Sequence, residues 1–234
     1  MRVSAIIPAM NEEKTLARAV ASLRMGGVPV EVVVVVNGST DGTVAVARKV
    51  ADRVVRHLSP LGVARARNMG ASVAHGSLLI FLDADSYVVA GTVASIVASA
   101  RSQSYGTVLG EGESPRLRLR LYFAMKRLFH RTNLYQGCLG GCYFVGRRLF
   151  DSMGGFDYRS EPDEFYDFNH RAKERGGRYL LVEGGTAITS TRRFEHLNLI
   201  KALRFWARLR LATILHTPAR SFYRDYWQRR QVRP

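Results

Sequence analysis

The chain has 234 residues, 47% of them apolar, and a formal net charge of +16 from 35 Lys and Arg against 19 Asp and Glu. That length carries one large domain or a domain with a helical appendage, and the apolar share supports a sizeable core. Two cysteines, Cys138 and Cys142, exclude a disulfide framework and, with no flanking Cys or His set, a zinc site.

Val3–Ile7 predicts a first strand that begins almost at once, an apolar start too short for a signal peptide. Asn11 reads as the cap of a helix through Arg24, with Glu12 and Glu13 complementing its dipole. Val30–Val36 is too β-branched for a good helix and predicts a buried strand. The loop Asn37–Gly42 leads to a helix over 43–51, a short strand over 53–58 and a helix over 64–74. Ser77–Leu82 is an apolar run that reads as a buried parallel strand. Four strand–helix alternations predict an α/β fold with a doubly wound, mostly parallel sheet.

Beyond this the pattern loosens. A helix is expected over 93–101 and a strand over 107–110. Residues 116–121 alternate Arg and Leu, which fits an edge strand as well as the start of a basic amphipathic helix over 117–130. A strand over 140–145 follows, holding Cys142 as a core residue. Helices over 147–153 and 164–175 are each stopped by a glycine pair, and two short strands are expected over 179–182 and 186–190. A long helix over 197–215 carries Lys201, Arg204 and Arg208 on one face, and a basic, aromatic tail follows Pro218. The expected division is an α/β catalytic unit over 1–195 and a basic C-terminal helical extension over 196–234.

The charge is unevenly placed. Eleven Lys and Arg face two acids from Arg192 onward, and six face none over 116–131. Such patches favour anionic lipid, nucleic acid or a polyanionic substrate. Trp206, Tyr223 and Trp227 among the C-terminal arginines suit a bilayer surface, or a packed helix with a solvated cationic face. Nothing resembles a nucleic-acid-binding motif, so nucleic acid ranks lower. No uncharged apolar run reaches the roughly 18 residues of a membrane span, and a reducing cytosol, with the chain peripheral on the inner membrane face, is the expected compartment.

Chemistry concentrates at Asp83-Ala84-Asp85, where two carboxylates leave the end of the apolar strand. Ligands of open α/β sheets bind at that edge. Carboxylates there must be solvated, paired or bound to a cation, and a hard divalent ion shared with phosphates is the simplest occupant. The loops Pro8–Glu12 and Asn37–Gly42 should converge on the same edge. Asn37, Ser39 and Asp41 offer short polar side chains beside glycines, although Asp41 equally suits a turn.

Four segments carry a family resemblance: Ile6-Ile7-Pro8-Ala9-Met10-Asn11-Glu12-Glu13, Asn37-Gly38-Ser39-Thr40-Asp41-Gly42-Thr43, Ala66-Arg67-Asn68-Met69-Gly70 and Phe81-Leu82-Asp83-Ala84-Asp85. In that order they resemble the family 2 glycosyltransferases of GT-A fold, over residues 3 to about 195. Gly154-Gly155-Phe156-Asp157, the acidic cluster after it and Arg175-Gly176 add a fifth match. The resemblance implies inverting sugar transfer from a nucleotide sugar to a hydroxyl acceptor, with a lipid-linked or envelope-polysaccharide acceptor as candidates, and with Mg²⁺ or Mn²⁺. It assigns Asp83 to the ribose or metal, Asp85 to the metal, Asp41, Arg67 and Asn68 to the nucleotide pocket, and Pro8, Asn11 and Glu12 to its floor. Family members often carry Tyr at the position of Met10 and Asp at that of Val36, and both help hold the base, so the resemblance does not assign a uridine donor.

An inverting transfer also needs a carboxylate to take the acceptor proton. The resemblance aligns Glu164-Phe165-Tyr166-Asp167 with a segment whose second residue is usually Asp, so Glu164 and then Asp163 are the candidate bases, unless both merely complement the helix amino terminus. Asp167 is expected to pair with Arg171. Arg192 and Arg193, in a segment similar to a Ser-Arg-Arg-Phe-Glu stretch of one family branch, are candidate diphosphate clamps, and His196 is a candidate metal ligand. A nucleotidyltransferase is the rival enzyme, but it needs a glycine-rich basic loop after the first strand, where this chain has an acidic loop. A non-catalytic binding protein on the same scaffold is the second rival.

Overall fold

The computed structural model describes residues 1–131, 137–160, 164–192 and 204. The predicted helix over 197–215 and the tail therefore lie outside the described residues apart from Arg204, as do Asp163, Arg193 and His196.

The β-branched and apolar runs form one mixed sheet. Its strands are β1 (Val3–Ala9), β2 (Val30–Asn37), β3 (Arg53–His57), β4 (Leu78–Leu82), β5 (Ser86–Val88), β6 (Ser104–Gly112), β7 (Cys142–Gly146) and β8 (Arg178–Thr189). Across the sheet they run β3-β2-β1-β4-β7-β6-β8-β5. The four strands of the regular half are mutually parallel, with Val3 opposite both Val30 and Leu78. β7 is antiparallel to β4 and to β6, and β6 is parallel to β8. Two reversals restore direction, so β1, β2, β4, β6 and β8 all end on the same edge.

The helices are α1 (Leu16–Arg24), α2 (Thr43–Val50), α3 (Val63–Val73), α4 (Thr92–Ser99), α5 (Leu117–Arg131), α6 (Arg147–Ser152) and α7 (Glu164–Glu174). Strand side chains alternate between faces, and both faces are covered. Leu78, Ile80 and Leu82 join α1, α2 and α4 in one core; Leu79 and Phe81 join α3, α6 and α7 in the other. The second core is aromatic, with Phe81, Phe150, Phe156 and Phe168 packed at centroid separations of 5.0 to 5.9 Å. Cys142 is buried in the first core as expected.

Several expectations are corrected. Asn11 does not cap α1, which starts at Leu16; it adopts a left-handed φ of 57° and turns its side chain to the neighbouring loop. The Arg–Leu alternation forms helix α5, not an edge strand, because Leu119, Tyr122, Phe123 and His130 bury one helical face. The two short strands near the end are one strand, β8, in which Glu183-Gly184-Gly185 bulges out between Val182 and Thr186 while both flanks stay paired with β6.

Helix α3 sits close on the sheet because its inner face is small, with Ala64, Ala66, Gly70 and Ala71 buried. A Cβ at Gly70 would overlap Ile6 Cγ2 and come within 2.9 Å of Val35 Cγ2. Gly70→Ala is thus expected to lower the unfolding free energy by about 1–2 kcal/mol, the overpacking exceeding the gain in helix propensity. Urea denaturation checks this; an unchanged midpoint would show that α3 can lift off the sheet without cost.

Candidate active site

Sheet alternation delivers Asp83, just past β4, to the face covered by α3 and α7. There the buried Arg67 of α3 meets it. Arg67 Nη2 donates to Asp83 Oδ1 at 2.8 Å, and Nη1 donates to Glu164 Oε1, at the start of α7, at 2.5 Å. Glu164 is as buried as Arg67, at 5% against 4% side-chain exposure, whereas Asp83 keeps 40%. Phe165 lays its ring 4.4 Å from the guanidinium and packs on Tyr143 and Phe156. Burial works against the Arg67 charge, but Glu164 and then Asp83 outweigh it and hold the guanidinium ionised beyond its ordinary range. Gly141, with a φ of +71°, gives Asp83 room: a Cβ there would overlap Ser86 Oγ and come within 3.0 Å of Asp83 Oδ2.

Asp85 lies on the other side of the site and is 8% exposed. Its carbonyl accepts from Ser190 N at 3.0 Å, which fixes the end of β8 beside it. Arg192 then reaches back over the carboxylates. Its Nη2 donates to Glu12 Oε2 at 2.8 Å and Oε1 at 3.0 Å and lies 3.7 Å from Asp85 Oδ2. The hydrogen bonds to Glu12 raise the Arg192 pKa against partial burial, with Asp85 adding to the effect. One cation is thus shared by Glu12 and Asp85, acids 73 positions apart in the chain.

The other predicted residues divide by what they touch. The loops after β1 and β2 are stitched together: Asn11 N donates to Ser39 Oγ at 3.1 Å, Thr40 N to Asn11 Oδ1 at 2.8 Å, and Glu12 N to Thr43 Oγ1 at 2.9 Å. Asp41 accepts from the Thr43 hydroxyl and amide and from Glu13 N. Slight desolvation raises its pKa and those bonds, led by Thr43, lower it overall. Asn37 is buried and holds the 61–62 backbone, accepting from Leu61 N at 2.8 Å. Asn68 bonds Phe156 N and O at 3.0 and 2.8 Å, tying α3 to the loop before α7. Pro8 lies at the end of β1, and Ala84 is buried in the α1 core. Asp167 pairs with Arg171 at 2.8 Å as expected.

Sequence reasoning missed the Arg67–Glu164 and Glu12–Arg192 contacts, which join residues 97 and 180 positions apart. Phe165, at the expected carboxylate position, was read only as a loss; its i, i+3 spacing with Phe168 was the available sign of an aromatic face.

The carboxylates and their arginines gather at the edge where open α/β sheets bind their ligands. Residues 4–156 match the family model described as glycosyl transferase family 2. The chain belongs to that family. It is 31% identical to the succinoglycan biosynthesis protein ExoU of Rhizobium meliloti over 203 residues, 77% of this chain and 59% of ExoU. It is also 31% identical to a PGL/p-HBAD biosynthesis glycosyltransferase of Mycobacterium tuberculosis over 180 residues, 72% of this chain and 68% of that protein. The chain thus spans about three fifths of the length of ExoU. Among solved structures it is similar to the mannosyltransferase PcManGT of Pyrobaculum calidifontis in complex with GDP-Man and Mn²⁺, with a TM-score of 0.70 at 20% identity, covering 93% of this chain and 65% of that one. It is similar to GalNAc-T7 with UDP, GalNAc and Mn²⁺ at a TM-score of 0.61 and 21% identity, covering 81% and 44%. These likenesses establish the GT-A fold.

Removing Arg67 takes a paired guanidinium away from the buried Glu164 carboxylate. Arg67→Ala is expected to lower stability by about 3–5 kcal/mol. Adding Glu164→Leu to that variant should restore part of the loss. A urea double-mutant cycle reads the coupling; additive losses would mean that the bridge holds nothing.

Proposed function

We propose that the chain transfers a sugar, with inversion, from a nucleotide-sugar donor to a hydroxyl of a lipid-linked or envelope-glycan acceptor at the cytosolic face of a membrane. The observation that carries the donor site is the convergence of Glu12 and Asp85 on one guanidinium at the carboxyl edge of the sheet, beside Asp83 fixed by Arg67. The acceptor class is supported by the relatives, one named for succinoglycan and one for PGL/p-HBAD biosynthesis. Among the described residues no helix is long and apolar enough to cross a membrane. Family membership favours transfer over nucleotide-sugar synthesis and over binding without turnover.

The donor set fits a hard divalent ion. Among the described residues no three His, Cys, Asp or Glu cluster as a protein-only site, but Mg²⁺ usually takes one or two carboxylates and completes its shell with phosphates and water. Asp85, with Asp83 nearby and His196 as a further candidate, would hold it, and the position of Arg192 supports a cation at Asp85. When bound, Mg²⁺ or Mn²⁺ would offset the charge that gathers on the departing diphosphate.

The chain's own residues do the rest. Asp83, immobilised by Arg67, would receive the ribose hydroxyls, and the stitched loops bearing Pro8, Asn11, Glu12, Asn37, Ser39 and Asp41 would wall the nucleoside with Asn68 behind them. Arg192, half-exposed and already reaching across the site, would move to the phosphates, with Arg193 beside it. A carboxylate takes the acceptor proton as the hydroxyl oxygen attacks the anomeric carbon and the bond to phosphate breaks. The sequence ranks Glu164 before Asp163 for this task. The burial of Glu164 against Arg67 supports giving Glu164 the positioning role and Asp163 the proton.

Two tests follow. Mn²⁺ with a nucleoside diphosphate should raise the melting temperature of the wild type more than either alone, and Asp85→Ala should remove that added rise and the transfer activity. Unchanged turnover would remove Asp85 from the donor site. Asp163→Asn should lower kcat by about 10²–10⁴-fold while leaving donor affinity nearly intact. If Glu164→Gln alone does this, the two roles are exchanged.

A further inference from the structure

Helix α5 buries Leu119, Tyr122, Phe123 and His130 against the domain. Its opposite face is not polar. Leu117, Leu121 and Leu128 are 69%, 53% and 58% exposed. At about 100° per residue these three leucines fall within about 40° of one another, on the side turned away from the core. The exposed Ala124 lies along the same line. Singly exposed leucines are ordinary, whereas an aligned ridge marks an interaction face.

The rim of the ridge decides the partner. No acid occurs over 116–131, while Arg116, Arg120 and Arg131 are exposed beside the leucines. Arg131 pairs with Glu183 at 2.8 Å, but among the described residues Arg116 and Arg120 have no acidic partner. A second copy of this face would bring like charges together. A leucine ridge rimmed by unneutralised arginines instead matches the acyl boundary and phosphates of an anionic bilayer.

The position of the helix fits as well. β6 leads into α5 from the edge where the candidate site lies. Glu113 N donates to Thr189 O at 3.0 Å, and a Cβ on Gly112 would come within 2.8 Å of Thr191 Cγ2, so the root of α5 adjoins the segment that presents Arg192. We propose that the outer face of α5 docks the protein on an anionic lipid bilayer. This deepens the reading of a membrane-borne acceptor and takes its purpose from it, but adsorption itself does not require sugar transfer.

The test is co-sedimentation of the full chain with vesicles of phosphatidylcholine alone or mixed with phosphatidylglycerol. The wild type is expected to partition to the mixed vesicles and to be released by salt. Leu117→Ser/Leu121→Ser/Leu128→Ser should cut that partitioning at least about tenfold, since each buried leucine contributes substantially to adsorption. Arg116→Gln/Arg120→Gln should cut it severalfold and weaken the preference for anionic lipid. Thermal melts, with and without nucleoside diphosphate and Mn²⁺, run on the same preparations. Wild-type adsorption retained in both variants would overturn the proposal and assign binding elsewhere in the chain. So would a wild-type dimer that the serine variant splits, since the ridge would then face a second copy. Absence of a nucleotide-induced shift in a wild type that still adsorbs through α5 would count against the donor-site reading alone.

Discussion

The Arg67 guanidinium is the constraint on which the site depends. It is a cation buried between two acids contributed by different layers of the fold, a strand end and a helix start. A buried arginine with one acid would be a weak reason for stability, because desolvation consumes much of the attraction. Here its two ends meet acids of different exposure. Glu164 lies beneath with it, and Asp83 stays 40% open to the site. The bridge therefore converts packing of α3 and α7 into a fixed position for one carboxylate at the carboxyl edge of the sheet. Phe165 closes the remaining face of the guanidinium, so the residue that departs from the family pattern has a packing role in this chain.

Arg192 contrasts with Arg67 in every physical respect. It is 57% exposed, it comes from the end of the last described strand, and its contacts with Glu12 and Asp85 lie at the surface of the site. With the arginine so open to water, these pairs are screened and contribute less to stability than the fully buried bridge at Arg67. A side chain held so weakly can leave its acids for a stronger partner. The fold thus combines a buried arginine on Asp83 with an exposed one beside Asp85.

Much of this fold was legible in the chain. The valine run of β2, the apolar run of β4 and the helical segments between them fix a parallel half-sheet, and that topology alone directs three loops to one edge. What misled was local. Asn11 followed by two acids has the form of a helix start, yet its side-chain Oδ1 accepts from Thr40 N of the neighbouring loop and α1 begins five residues later. Arg-Leu alternation has a period of two, and only burial of Leu119, Tyr122 and Phe123 decides for a helix. The bulge in β8 interrupts the pattern of a strand without interrupting its pairing. The two ion-pair systems were illegible for a different reason: residues as far apart as Glu12 and Arg192 are brought together by sheet order, which no local periodicity records.

The proposed divalent cation at Asp85 requires the Arg192 guanidinium, 3.7 Å from Asp85 Oδ2, to give way to it. Anomalous diffraction from crystals soaked with Mn²⁺ and a nucleoside diphosphate tests it most directly. The account predicts a manganese peak within coordination distance of Asp85, diphosphate oxygens completing its shell, and Arg192 withdrawn from Asp85 toward the phosphates. A bound nucleotide with no peak at Asp85, and Arg192 still on Glu12, would contradict it.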